Sequence, residues 1–199
     1  MTRLSRADLW SLEEYAEQRT AFRADVMQHK KTRQLALGEH ARLYFEDSLT
    51  IRYQIQEMLR IEKVFEPEAI NEELEAYNPL IPDGCNWKAT FMLEYEDPAE
   101  RQQQLQQLLG IEDKVWLQVE DCERVYPIAD EDLDRSNDSK TSSVHFLRFE
   151  LSPSMVAAVK AGAQISAGID HPAYPIAAST IPAEVRDSLA ADLDAALIN

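Results

Sequence analysis

The chain has 199 residues, of which 45% are hydrophobic and 28% charged, a composition typical of a globular protein with a sizeable core. Its net charge is −16, and nearly all of the acidic excess lies after residue 63. An acidic surface repels phosphate groups, so nucleic acid and anionic membranes are not expected partners. We expect a single domain over residues 1–199.

The N-terminus indicates where the protein resides. The segment "MTRLSRADLWSLEEYAEQ" lacks the apolar stretch of a signal peptide, and no apolar run in the chain is long enough to span a bilayer. The expected location is the cytoplasm. In that compartment Cys85 and Cys122, which lack CxxC spacing, are interpreted as reduced packing residues rather than a disulfide or zinc ligands.

Helix signals recur along the chain. Ser11 and Glu14 have the spacing of a capping box at the start of the first predicted helix. That helix ends in the basic run "HKKTR" (29–33), interpreted as a solvated helix end or, alternatively, as a patch that docks an acidic partner or ligand. Asp97 and Ser152, each followed by proline, predict the starts of later helices. The closing helix is indicated by the fourfold spacing of Val185, Leu189, Leu193 and Leu197.

Strand signals lie between these helices. Period-two alternation predicts strands in "RLYFED", "KATFMLEYED", "KVWLQVED", "VHFLRFEL" and "AQISAGID". In "ERVYPIAD", Pro127 indicates an edge position or an early strand end. Several strands are apolar on one face only, which favours an antiparallel sheet with helices packed on it. The predicted fold class is therefore α+β, with no glycine-rich phosphate loop.

The stretch "TSSVHFLRFELSP" (141–153) raises a question about one histidine. In an extended strand His145 faces the same side as Leu147, Phe149 and Leu151. It is therefore either a core-edge histidine satisfied by a carbonyl or carboxylate, or a residue that lines a site. The polar, acidic segment 130–143 before it predicts a mobile loop.

The stretch "TIRYQIQEMLRIEKVF" (50–65) predicts a helix with polar groups beside an apolar stripe. Either these groups form a solvated face with spaced ion pairs, or some of them face a cavity. The stripe consists of Ile51, Ile55, Met58 and Leu59, and the candidate ligand-binding residues are Arg52, Tyr53, Gln54 and Glu57.

The four histidines show neither an HExxH nor an ExxH pattern, so neither a zincin nor a ferritin-like di-iron site is expected. Two histidines and a carboxylate suit a mononuclear iron or zinc site. The candidate ligands are His145, His171 and Glu57, although the "DHP" turn around His171 is equally typical of an exposed histidine.

Several segments together resemble an uncharacterised bacterial family of about 200 residues, classed as a domain of unknown function. They are "LSRADLWSLEEYAEQR", "RQLALGEHARLYFED", "IRYQIQEMLRIEK", "EAYNPLIPDG", "SSVHFLRFELSP" and "GIDHPAY". The genes of that family often lie beside those for rubrerythrin-like proteins and an iron–sulfur oxidoreductase. The resemblance therefore implies a role near iron, peroxide or electron transfer.

Three hypotheses for function follow. The first is an accessory or binding protein that docks with a rubrerythrin-like or iron–sulfur oxidoreductase partner, guided by charge. The alternative is a metal-dependent enzyme or metal-binding protein with a His/carboxylate site that acts on a small polar molecule. The third is a structural subunit without a ligand. A buried cavity lined by His145 and the helix segment 52–57 favours the second, and a flat surface with exposed apolar residues favours the first. A position of His171 near the partner face, without a cavity, favours the third.

Overall fold

The computed structural model describes residues 3–133, 135–136, 139–194 and 196. Helices and antiparallel strands alternate, which confirms the α+β class. The helices are α1 (Leu12–Lys30), α2 (Ser48–Glu62), α3 (Pro67–Tyr77), α4 (Pro98–Gln107), α5 (Pro153–Lys160) and α6 (Ala183–Ala191). The strands are β1 (Gln34–Leu37), β2 (Ala41–Phe45), β3 (Asn86–Leu93), β4 (Val115–Val119), β5 (Arg124–Val125), β6 (Ile128–Ala129), β7 (Val144–Glu150), β8 (Ile165–His171) and β9 (Tyr174–Thr180).

The strands form two sheets rather than one. The first has the order β1-β2-β3-β7-β6 and the second the order β5-β4-β8-β9. Pro127 lies between β5 and β6, where the chain passes from the second sheet to the first. This confirms the predicted strand end, because proline has no N–H with which to continue a ladder.

A single core joins the two sheets. It contains side chains from the first sheet such as Phe91 and Phe149, and from the second such as Leu117 and Ile169. Residues of α4, α5 and α6 complete it, including the predicted stripe residues Val185 and Leu189, together with Leu193, which follows α6. Helix α6 ends at Ala191, and Leu197 lies outside the described residues.

The first three helices form a separate layer with smaller clusters of its own. Helices α2 and α3 pack together through Ile51, Ile55 and Leu74, among others. Helix α1 buries Tyr15, Phe22 and Val26. Within the described ranges, every helix is too short or too polar to cross a bilayer.

The basic run His29–Arg33 is not entirely solvated, because Arg33 is buried. Its guanidinium donates to both carboxylate oxygens of Asp192, at 3.2 and 2.6 Å, and to the carbonyls of Phe45 and Glu46. Arg33 therefore joins the end of α1 to the residue that follows α6. A buried ion pair needs such additional hydrogen bonds to offset the loss of hydration.

Breaking this pair should destabilise the protein strongly. We expect Arg33→Met to lower the free energy of unfolding by about 3–5 kcal/mol, since it leaves Asp192 buried without its counter-charge. The double variant Arg33→Met/Asp192→Leu should recover most of that loss. Arg186→Met, which removes an ion pair with the exposed Asp187, should cost at most about 1 kcal/mol. Urea unfolding measures the free energy of unfolding of all three variants. Equal losses of this free energy in Arg33→Met and Arg186→Met would contradict the stabilising role of the buried ion pair.

Candidate functional site

Glu57 accepts hydrogen bonds from two side chains of α1. Tyr15 Oη lies 2.6 Å from Oε1, and the Arg19 guanidinium contacts the two carboxylate oxygens at 2.7 and 2.8 Å. The bonds from Arg19 are the main reason that the pKa of Glu57 falls to about 2. Glu57 therefore joins α2 to α1 as an ionised carboxylate with its bonds directed into the protein.

The other three residues predicted from α2 point to two different places. The Arg52 guanidinium lies over the Trp10 ring, 4.2 Å from its centroid, and Tyr53 packs against Phe22. Both therefore belong to the aromatic cluster between α1 and α2. Gln54 instead lines a groove beside α3. The predicted set does not form one site, and only Gln54 faces a cavity.

His171 is a satisfied structural histidine at the end of β8. Its Nε2 lies 3.1 Å from the carbonyl oxygen of Leu109, and its Nδ1 lies 3.2 Å from the backbone N–H of Ala173. One neutral tautomer satisfies both contacts, with Nε2 donating and Nδ1 accepting. Its neighbour Asp170 points away, toward Trp116 and Arg124.

His145 faces the core, as the alternation of β7 predicts, and is fully buried. Its Nδ1 lies 2.6 Å from Oδ2 of Asp130, whose other oxygen accepts the backbone N–H of Phe146 at 2.9 Å. Asp130 directly follows β6 and has a φ of 50°, in the left-handed region that aspartate tolerates. This backbone turn brings the carboxylate to the imidazole, which it orients.

The other ring nitrogen, Nε2, is surrounded by oxygen atoms. Thr141 Oγ1 lies at 2.9 Å, the carbonyl oxygen of Ser142 at 3.1 Å and Oε2 of Glu112 at 3.7 Å. The carbonyl and the carboxylate only accept hydrogen bonds, whereas the Thr141 hydroxyl can also donate one, so this oxygen shell suits an Nε2 that donates a proton, accepts one from Thr141 or binds a metal ion. Ser136 Oγ donates to the other oxygen of Glu112 at 2.7 Å.

Glu112, Asp130 and His145 are the one group of three among the described residues with potential metal-ligand atoms within 4.8 Å of one another. In the structure His145 therefore lies beside the carboxylates of Glu112 and Asp130, and not beside His171 and Glu57. Sequence reasoning missed both carboxylates, since Glu112 lies 33 positions before His145 in the chain. The position of Asp130 as the first residue of the predicted loop 130–143 was the only available signal.

The opposite face of β7 borders the groove that Gln54 lines. The cavity has a volume of about 640 Å³ and lies between α2, α3 and the first sheet. Phe146 and Arg148 of β7 and Lys88 of β3 form its sheet wall. The helix wall and the segment after β6 contribute Met58, Ala76, Tyr77, Leu80, Glu131, Asp132 and Arg135, among others.

Residues 130 and 131, directly after β6, are bonded to opposite faces of β7. Asp130 reaches His145 on the core side, whereas Glu131 pairs with Arg148 on the groove side at 2.7 Å. The Arg135 guanidinium lies over the Phe146 ring, 4.5 Å from its centroid. Asp134, Asn137 and Asp138 of the predicted loop lie outside the described residues, and its mobility stays a prediction.

The fold and this buried cluster define an α+β protein with a single histidine between two carboxylates. The chain belongs to the family described as "Protein of unknown function (DUF3501)", whose model matches residues 3–193. It is similar to a novel protein of unknown function from Burkholderia pseudomallei K96243, with 54% sequence identity and a TM-score of 0.93. That match covers 97% of this chain and 100% of the other. None of the curated proteins matches the chain.

The Glu57 bonds predict an acid-sensitive contribution to stability. Because the pKa of Glu57 is lowered to about 2 from the ordinary 4.5, its contribution is complete above pH 4.5 and is lost as the pH falls toward 2. At pH 7 the free energy of unfolding of the wild type should exceed that of Glu57→Gln by about 1–3 kcal/mol. This difference should shrink below pH 4.5. Chemical denaturation across this range measures it. The exposed Glu17→Gln serves as control, and a difference independent of pH would refute the assignment.

Proposed function

We propose that the protein binds a divalent iron or zinc ion at the cluster of Glu112, Asp130 and His145. The observation that carries the proposal is the shell of oxygen atoms around His145 Nε2, which would provide further ligands to a cation bound at that nitrogen. The N–O distance of 3.7 Å between Nε2 and Oε2 of Glu112 is compatible with two ligands of one metal ion at about 2.0–2.2 Å each.

The partner of the other ring nitrogen supports the same role. Metal-binding histidines usually donate the N–H that does not face the metal to a carboxylate, which fixes the tautomer and raises ligand basicity. Asp130 occupies that position at 2.6 Å from Nδ1. In this arrangement His145 and Glu112 would ligate the ion, with the Thr141 hydroxyl and the Ser142 carbonyl as further oxygen donors.

The burial of the cluster favours metal binding over metal-dependent catalysis. His145 is fully buried, and neither it nor the two carboxylates line the groove. Structural metal sites are closed, whereas catalytic sites keep a position open to substrate. The ion would join the second sheet to the first, since Glu112 lies in the short 3-10 turn Ile111–Lys114 that leads into β4, while His145 belongs to β7.

Metal content tests the proposal directly. The untagged protein, purified without chelator after growth with added iron and zinc, should contain about one equivalent of either metal by elemental analysis. His145→Gln and Glu112→Gln should each lose it, whereas His171→Gln should retain it. Circular dichroism on each variant verifies that the fold persists.

Two results would refute the site. One is a metal-free wild type after supplementation. The other is loss of metal in folded His171→Gln together with its retention in His145→Gln, because that would favour a site around His171.

A second candidate function, docking with a redox partner, is supported by two exposed apolar residues at the end of α2. The side chains of Ile61 and Phe65 are 65% and 69% exposed, which is unusual for large apolar groups four positions apart. The partner that the family resemblance implies is a rubrerythrin-like protein or an iron–sulfur oxidoreductase.

Binding to such a partner should depend on this pair. We expect Ile61→Ser/Phe65→Ser to weaken association at least tenfold in biolayer interferometry with either purified redox protein, because it removes apolar area from the contact. Leu133→Ser, which changes another exposed apolar residue, is the control. Absence of binding by the wild type, or equal binding by the double variant, would contradict docking at this surface.

A further inference from the structure

The two arginines of the groove are already paired with carboxylates. The Arg148 guanidinium contacts both oxygens of Glu131 at 2.7 Å, and it also donates to Glu150. Arg135 contacts both oxygens of Asp132 at 2.5 and 2.7 Å. Bidentate pairs of this kind use most of the guanidinium's donors, so neither arginine is available to a ligand without breaking them.

Lys88 differs, since no described residue provides it with a carboxylate partner within 4.0 Å. Its ammonium donates to the carbonyl oxygen of Pro79 at 2.5 Å, which leaves two of its three N–H groups for other acceptors. Lys88 is also directly opposite Arg148 in the antiparallel pair of β3 and β7, an arrangement of like charges that is unfavourable.

An anion beside the ammonium of Lys88 would offset the free-energy cost of partly burying its charge. Burial is the main cause that lowers the pKa of Lys88 and Arg148 lowers it further, whereas the carboxylates of Asp83, Glu131 and Glu150 raise it without forming an ion pair. The net effect is a lowered pKa, so these carboxylates do not fully offset the partial burial of the ammonium. A carboxylate beside it would supply the missing charge and accept one of the free N–H groups.

The other residues of the groove restrict the charge and the chemical class of the anion that can bind. Carboxylates outnumber cations among the lining residues, so a dianion such as a phosphate ester would be repelled more than a singly charged group. The apolar part of the wall includes Phe146, Met58 and Leu80, with Tyr77 at the side. A cavity with apolar walls and few free polar groups is typical of sites for small organic ligands.

We infer that the groove binds a small organic monocarboxylate with an aromatic or branched apolar body, whose carboxylate contacts the ammonium of Lys88. The apolar body packs against Phe146 and Met58 between the sheet and the two helices. This binding site is independent of the proposed metal cluster, which lies on the other face of β7.

Phenylacetate is a suitable probe, since it combines one carboxylate with an aromatic ring. In NMR titrations of the full chain it should shift the amide resonances of β3 and β7. Lys88→Gln should weaken its binding about 10- to 100-fold, because a charge-assisted hydrogen bond is lost. Lys160→Gln is the matched control, since the Lys160 ammonium also donates to a backbone carbonyl, that of Ala190, but lies outside the groove.

The neutral analogue phenylacetamide separates charge recognition from apolar binding. Phenylacetamide should bind the wild type at least tenfold more weakly than phenylacetate does. Its affinity for Lys88→Gln should equal its affinity for the wild type. The inference is overturned if phenylacetate does not bind, if Lys88→Gln binds it as the wild type does, or if phenylacetamide binds as well. Retained phenylacetate binding in His145→Gln would show that the groove functions without the metal cluster, whatever the outcome for metal.

Discussion

Strand β7 has to be covered on both faces, and the rest of the molecule is arranged around that requirement. Its core-facing side chains, among them His145 and Phe149, are buried between the two sheets. Its other side chains, Phe146 and Arg148, face the groove below α2 and α3. A shift of one residue would exchange His145 with Phe146, so the two different environments fix the register of the strand.

The two candidate sites share one segment of chain. Asp130 orients the imidazole of His145, and the next residue, Glu131, pairs with Arg148 in the groove. The proposed metal ion and the proposed carboxylate would therefore lie on opposite sides of β7, each near a side chain that this short connection holds in place. Because Asp130 occupies the left-handed backbone region, the chain turns sharply between the two sides.

Local signals in the sequence predicted local structure well. The capping residues Ser11, Asp97 and Ser152 begin helices as expected, and alternation gave the correct face for His145. What the sequence could not provide was long-range pairing. Arg33 finds its partner Asp192 159 positions away, and the division into two sheets depends on contacts between strands that no local pattern encodes.

Pro127 also affects how the protein behaves at high concentration. Open sheet edges offer unpaired N–H and C=O groups to neighbouring molecules, which promotes edge-to-edge aggregation. By dividing "ERVYPIAD" between the two sheets, the proline gives each of them an edge strand of only two residues, β5 and β6. Such short edges hold few free backbone groups, so one residue protects one edge of each sheet against intermolecular strand addition, while β1 and β9 remain the opposite edges.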